Sequence, residues 1–180
     1  MQKSEARSFA ERLIALLGPQ DSIRVVSAPQ PGVAPVCCFF FHDRPREGLS
    51  VAVTYGLSLA GPEMPELIVC VNNIDESWGL AAAAMGERFR GESNFAEGTL
   101  LFGPEPLSAG TEFSGFLLGE QRIFPSADAM VQLPDRRIRL MGAYPVHECE
   151  KPVIERIGGA AFLAREGLDP FNVDREHIWQ

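Results

Sequence analysis

The feature that most restricts the fold is a succession of short β-branched and aromatic runs: Ile23 to Val26, Val36 to Phe41, Leu49 to Tyr55 and Glu66 to Val71. Each is bounded by Pro, Gly, Asp or Asn, the residues that punctuate strands joined by surface turns. Four neighbouring strands are therefore expected. A helix precedes them, because Phe9, Ala10, Leu13, Ile14, Leu16 and Leu17 recur at spacings of three and four up to Gly18-Pro19. A second follows, with Asp75 placed to cap it and Trp78, Ala81, Ala82, Met85 and Phe89 repeating helically as far as Gly91.

Beyond Gly98 the pattern is broken by Gly and Pro. Thr99 to Phe102 and Phe113 to Leu118 read as irregular strand pieces, and Ala129 to Leu133 and Ile138 to Ala143 as two more, with Pro145 stopping the last. A final helix is expected from Glu148, carrying Val153, Ile154 and Ile157, pausing at Gly158-Gly159 and resuming through Phe162 to Gly167. Strands and helices do not alternate regularly, which favours an α+β fold over a doubly wound parallel one. The expectation is a mixed, largely antiparallel sheet with packed helices, in one domain spanning 1–180.

Charge narrows the choice of partners. Sixteen Lys and Arg against 24 Asp and Glu give a net charge of -8, so phosphate backbones are repelled on average and nucleic acid is not an expected partner. The basic run Arg136-Arg137-Ile138-Arg139 alternates around Ile138 as the solvated face of a strand would. A basic protein partner suits this balance. The polar start Met1 to Arg7 lacks a signal-like apolar core and no apolar run reaches about 18 residues, so a cytoplasmic, non-membrane chain is expected. Adjacent Cys37 and Cys38, with Cys70 in another strand-like run, read as reduced core residues rather than a disulfide framework.

Candidate chemistry fails on context. Gly56-Leu57-Ser58-Leu59-Ala60 follows a strand as a nucleophile elbow does, yet Gly61-Pro62-Glu63-Met64-Pro65 then forms a loop where an elbow needs a helix. His147-Glu148-Cys149-Glu150 gathers possible ligands without the paired spacing of zinc sites, and reads as a helix start whose acids favour the positive dipole end. His42-Asp43 fits a strand-ending turn, and His177 lies in a terminus where fraying is the default. No phosphate-binding or dinucleotide glycine loop occurs. No catalytic residue, metal or cofactor is assigned.

Two segments carry a likeness. Thr54-Tyr55-Gly56-Leu57-Ser58 precedes Pro65-Glu66-Leu67-Ile68-Val69, and later comes Tyr144-Pro145-Val146-His147-Glu148-Cys149-Glu150, followed by Ile154, Gly158 and Phe162-Leu163. From about Val51 to Arg175 this order resembles the suppressor-of-fused family, with its Thr-Tyr-Gly-x-Ser turn, Glu-Leu strand and late Pro-x-x-x-Glu segment. The resemblance implies a binding module. The family's animal founder holds a transcription factor in the cytoplasm, while bacterial single-domain relatives are read as immunity proteins that neutralise a toxin. The chain looks like the bacterial type, without room for the animal protein's second domain, so the cleft between those domains is not carried over.

The reading that follows is a non-catalytic cytosolic binding protein, an immunity protein occluding a basic toxin. The alternatives are a small hydrolase using Ser58 with His42 or His147, and a scaffold unrelated to toxins. Tyr55, Ser58, Tyr144, His147 and Glu150 are the candidate partner-binding positions, although the same motif residues serve as turn formers. Trp78 and Trp179 are further conceivable anchors, Trp78 being placed in the core by its helical spacing.

Overall fold

The computed structural model describes residues 4–26, 34–61, 63–91, 95–125 and 128–178. Its elements in chain order are α1 (Glu5–Leu17), β1 (Ser22–Val26), β2 (Val36–His42), β3 (Ser50–Tyr55), β4 (Glu66–Val71), α2 (Ser77–Arg88), β5 (Leu100–Phe102), β6 (Phe113–Glu120), β7 (Met130–Gln132), β8 (Arg137–His147), α3 (Lys151–Ile157) and α4 (Gly159–Leu163). The main path of the sheet runs β1-β2-β3-β4-β8-β6-β5, and β7 pairs with the start of β8. Among the described strands, only β4 and β8 pair in parallel. The fold is thus α+β with a mixed, mostly antiparallel sheet, as the patterning implies.

The central runs are apolar throughout because both faces of the sheet are covered. Phe39, Phe41, Val51, Val53, Ile68 and Cys70 meet Phe9, Leu13 and Leu17 of α1 on one face. Cys38, Phe40, Ala52, Leu67, Val69 and Val71 meet Trp78, Ala82 and Ala83 of α2 on the other. Period-two alternation therefore sorts side chains between two cores. Cys37 and Cys38 point to opposite faces, and all four cysteines are free thiols. Burial pushes the Cys70 thiol up to about 12, which leaves it chemically inert near neutrality.

α2 approaches the sheet closely through glycine. A methyl at Gly79 would stand 2.4 Å from Ala52 Cβ, and one at Gly86 would stand 2.7 Å from Leu57 Cδ1. Asp75 lies just before this helix and accepts a bond from the Ser77 amide at 2.9 Å, close to its expected capping role.

Two expectations need correction. β8 does not stop before Pro145 but continues to His147, with Pro145 opposite Phe116 of β6. Beyond Gly142 no residue of β8 is paired with β4, and the Pro145 carbonyl points to Arg175 instead. The missing proline N–H, on the same side as that carbonyl, therefore breaks no ladder bond. The helix expected from Glu148 opens as a 3₁₀ turn, Glu148–Glu150, and becomes α-helical only at Lys151. Its interruption at Gly158, where φ is 86°, falls where the glycine pair places it.

Candidate functional site

Two buried carboxylates organise the motif segments, one near each end of the sheet. Glu66 is fully buried at the start of β4. It accepts the Thr54 hydroxyl at 2.7 Å, the Gly56 amide at 2.8 Å, and the Ser58 amide and hydroxyl at 2.9 and 2.6 Å. Thr54 Oγ1 in turn accepts the Leu67 amide at 2.8 Å, locking the turn to the strand it precedes. Gly56 adopts φ 128°, and a Cβ there would lie 2.7 Å from the Pro35 carbonyl, so the turn requires glycine.

Ser58 is consequently a structural donor. Its side chain is 3% exposed, and Leu57–Leu59 form a single 3₁₀ turn rather than the long helix of an elbow. The histidines lie elsewhere. Glu66 is level with Leu140 in the parallel pair, which puts His147 seven residues further along β8, roughly 23 Å away at the usual strand rise. His42 pairs with Ser50, which pairs with Val71, again at the far end. Neither histidine reaches Ser58.

The same turn is fastened from outside by Arg136, which donates to the Ser58 carbonyl at 2.7 Å and to Glu5 of α1. Tyr55 lies against this ion pair, and burial, reinforced by Glu5 and opposed by Arg136, pushes its phenol up to about 12. Arg136 is thus a tie between α1, β8 and the turn, whereas Arg137 and Arg139 keep the exposed strand positions foreseen for the basic run.

Glu150, also fully buried, anchors the other end. Arg175 donates to it through Nη1 at 2.5 Å and Nη2 at 2.9 Å, and the His147 and Ile178 amides add bonds at 3.0 Å each. Burial alone would raise the Glu150 pKa, but Arg175 and these donors outweigh it and hold the carboxyl below its usual range. Glu150 is therefore not merely an acid favouring a helix dipole. It ties the terminal segment down, so that segment does not fray through Ile178.

His147 stacks on Phe113 with ring centroids 3.9 Å apart, and His177 meets its ring edge-on at 5.8 Å. The His147 side chain faces the Glu150 amide across a capping box, and the Glu112 and Arg175 backbones also face the ring. Burial lowers the His147 pKa, with Glu150 opposing and Arg175 assisting. Beside it opens a depression of about 590 Å³ bordered by Glu112, Phe113, Asp174, Glu176 and His177.

Tyr144 is buried three residues earlier in β8 and donates its hydroxyl to the Glu120 carbonyl at 2.6 Å. All five candidate positions, Tyr55, Ser58, Tyr144, His147 and Glu150, are thus buried. Trp78 is core, and Trp179 falls outside the described residues. Sequence reading missed Arg136, Arg175 and Phe113, whose roles depend on contacts far along the chain. It also missed a Ser50–His42–Glu76 chain, with His42 Nδ1 3.1 Å from Ser50 Oγ and Nε2 4.0 Å from Glu76. Ser50 is buried against a cavity of about 10 Å³, which leaves a substrate no room. Among the described residues, no cluster of three His, Cys, Asp or Glu is poised for a metal ion, and no helix is long and apolar enough to cross a membrane.

No family model and no curated protein matches the sequence. Among solved structures, the chain is similar to a protein described as a suppressor-of-fused (SUFU) homologue from Neisseria gonorrhoeae, with a TM-score of 0.76 and 12% identity over 98% of each chain. It is similar to a chain of the Sufu–Fu complex, with a TM-score of 0.68 and 13% identity over 96% of this chain and 91% of that one. Drosophila Suppressor of Fused gives a TM-score of 0.69 at 13% identity, across 96% of this chain and 50% of that one. Identity this low speaks to architecture alone, and the chain shares the fold of these SUFU structures.

Proposed function

We propose that the chain is a non-catalytic protein-binding domain, in the first instance an immunity protein that neutralises a basic toxin by direct occlusion in the cytoplasm. The observation that carries this reading is the fold shared over nearly the whole chain with a SUFU homologue, together with a SUFU structure solved as a complex with Fu. The net charge of -8 supports a basic partner, since opposite fields speed encounter. The burial of Ser58 against Glu66 counts against the hydrolase alternative.

In this reading Tyr55, Ser58, Tyr144, His147 and Glu150 act from beneath the surface. They hold the turn after β3 and the terminal segment in place, while exposed neighbours make the contact. The test is co-purification with the product of an adjacent toxin-like gene, combined with protection of cells expressing that product. A salt-sensitive complex with protection supports the immunity role. A complex with a partner of another kind, without protection, would move the assignment to a scaffold.

A further inference from the structure

The edge strand β1 lacks the usual protections of an open edge. It ends the main path of the sheet, and among the described residues it pairs only with β2. Every second residue of such a strand turns its N–H and C=O away from its one neighbour. Open edges are normally kept short or guarded by a charge. β5 and β7 are three residues long, whereas β1 has five. Its one charge, Arg24, is drawn back onto Glu76 through Nε at 2.7 Å, and Glu76 also accepts the Ser22 hydroxyl. Ile23 and Val25 stand opposite Phe39 and Cys37, on the face that α1 covers further in, yet they are 44% and 61% exposed.

What covers this edge follows from the order of its side chains, which is complementary to itself. An antiparallel copy with its two-fold axis at Arg24 sets Ile23 of each chain against Val25 of the other, closing four apolar side chains over one face. An axis one residue to either side breaks this match, opposing Val25 to Asp21 or leaving Ile23 opposite a residue beyond the strand. On the other face the axis brings the two Arg24 side chains together. Each carries its own Glu76, so opposite charges alternate there and two bare cations do not meet. We propose that β1 pairs with β1 of a second copy, antiparallel and centred on Arg24, joining two sheets into one. A contact one strand long is smaller than the ~1,200 Å² that stable interfaces exceed, so the dimer is weak and exchanges with monomer.

The intact protein is followed by sedimentation velocity from low micromolar to about 1 mM, with hydrogen exchange of the β1 amides in parallel. A reversible monomer–dimer equilibrium is expected, with β1 exchange slowing as dimer forms. Each copy carries a net charge of -8, so added salt should tighten the dimer by screening repulsion, opposite to its effect on a complex with a basic partner. Ile23→Glu or Val25→Lys alone, at exposed positions that leave the core intact, should weaken association about tenfold, because the two-fold axis repeats each lost pair. Combining the two substitutions sets the new carboxylate of each copy against the new ammonium of the other and should recover most of that loss. Monomer at every concentration, single variants that associate as the wild type does, or a double variant no better than the singles would each overturn the proposal. So would β1 amides that are protected only when a different protein is added, since the edge would then belong to a foreign strand. None of these results depends on whether a toxin-like partner is found.

Discussion

At the scale of single residues, Glu66 and Glu150 are the groups on which most depends. Each is a fully buried carboxylate surrounded by donors, so deleting it strands several polar groups out of water. Glu66→Ala should cost about 3–5 kcal/mol in urea unfolding, and Glu66→Gln, which retains one acceptor oxygen, about 1–3 kcal/mol. Ser58→Ala should cost about 1 kcal/mol, without any effect on reactivity towards esters. Titration adds a second handle. The folded pKa of His147 lies below its unfolded value of about 6.5, so its contribution is complete above that pH and is lost as pH falls towards the folded value. Glu150, whose folded pKa is depressed, adds a further loss as pH drops through and below about 4.3. The groups facing His147 are Glu150, Arg175, His177 and the Glu112 backbone. His147→Phe should remove the first loss and leave the second, as read from urea midpoints at successive pH values.

At the scale of elements, the terminal segment and α2 show how distant pieces are matched. Arg175→Ala leaves Glu150 buried without its cation and should destabilise by about 3–5 kcal/mol. A double-mutant cycle with Glu150→Leu should return a coupling of at least about 1.5 kcal/mol, because removing both charges avoids the stranded one. Gly79→Ala gains about 1 kcal/mol of helix propensity but drives a methyl into Ala52 and Phe40. Overpacking should win, giving a net loss of about 1–2 kcal/mol in the same unfolding experiment. The location of β1 to β4 and both early helices was legible because local period and punctuation determine them. Pro145 misled because a proline ends a strand only where its N–H would have been used, and the missing partner on that side is set by β8 parting from β4 after Gly142. Likewise, a glutamate opening an apolar strand marks Glu66 as unusual, but its bonds to the preceding turn exist only after the strands pair.

At the scale of the whole molecule, the ionisable groups divide into two kinds. Those inside are paired across the chain, as Arg175 with Glu150, and they shape the ends of the sheet. Those outside give an acidic balance, with a net charge of -8. This division explains why the motif residues looked both like near-misses for chemistry and like family marks. Their polar groups are consumed in building turns, and the sequence alone could not distinguish a hydroxyl aimed at substrate from one aimed at Glu66. The proposed function is binding of a basic protein without catalysis. It is tested most directly by purifying the intact protein with the product of an adjacent toxin-like gene, at low and high salt, and assaying the protein for esterase activity in parallel. A stoichiometric complex that weakens with salt, with no activity that depends on Ser58, is the predicted result. No complex, together with an esterase activity abolished by Ser58→Ala, would contradict it.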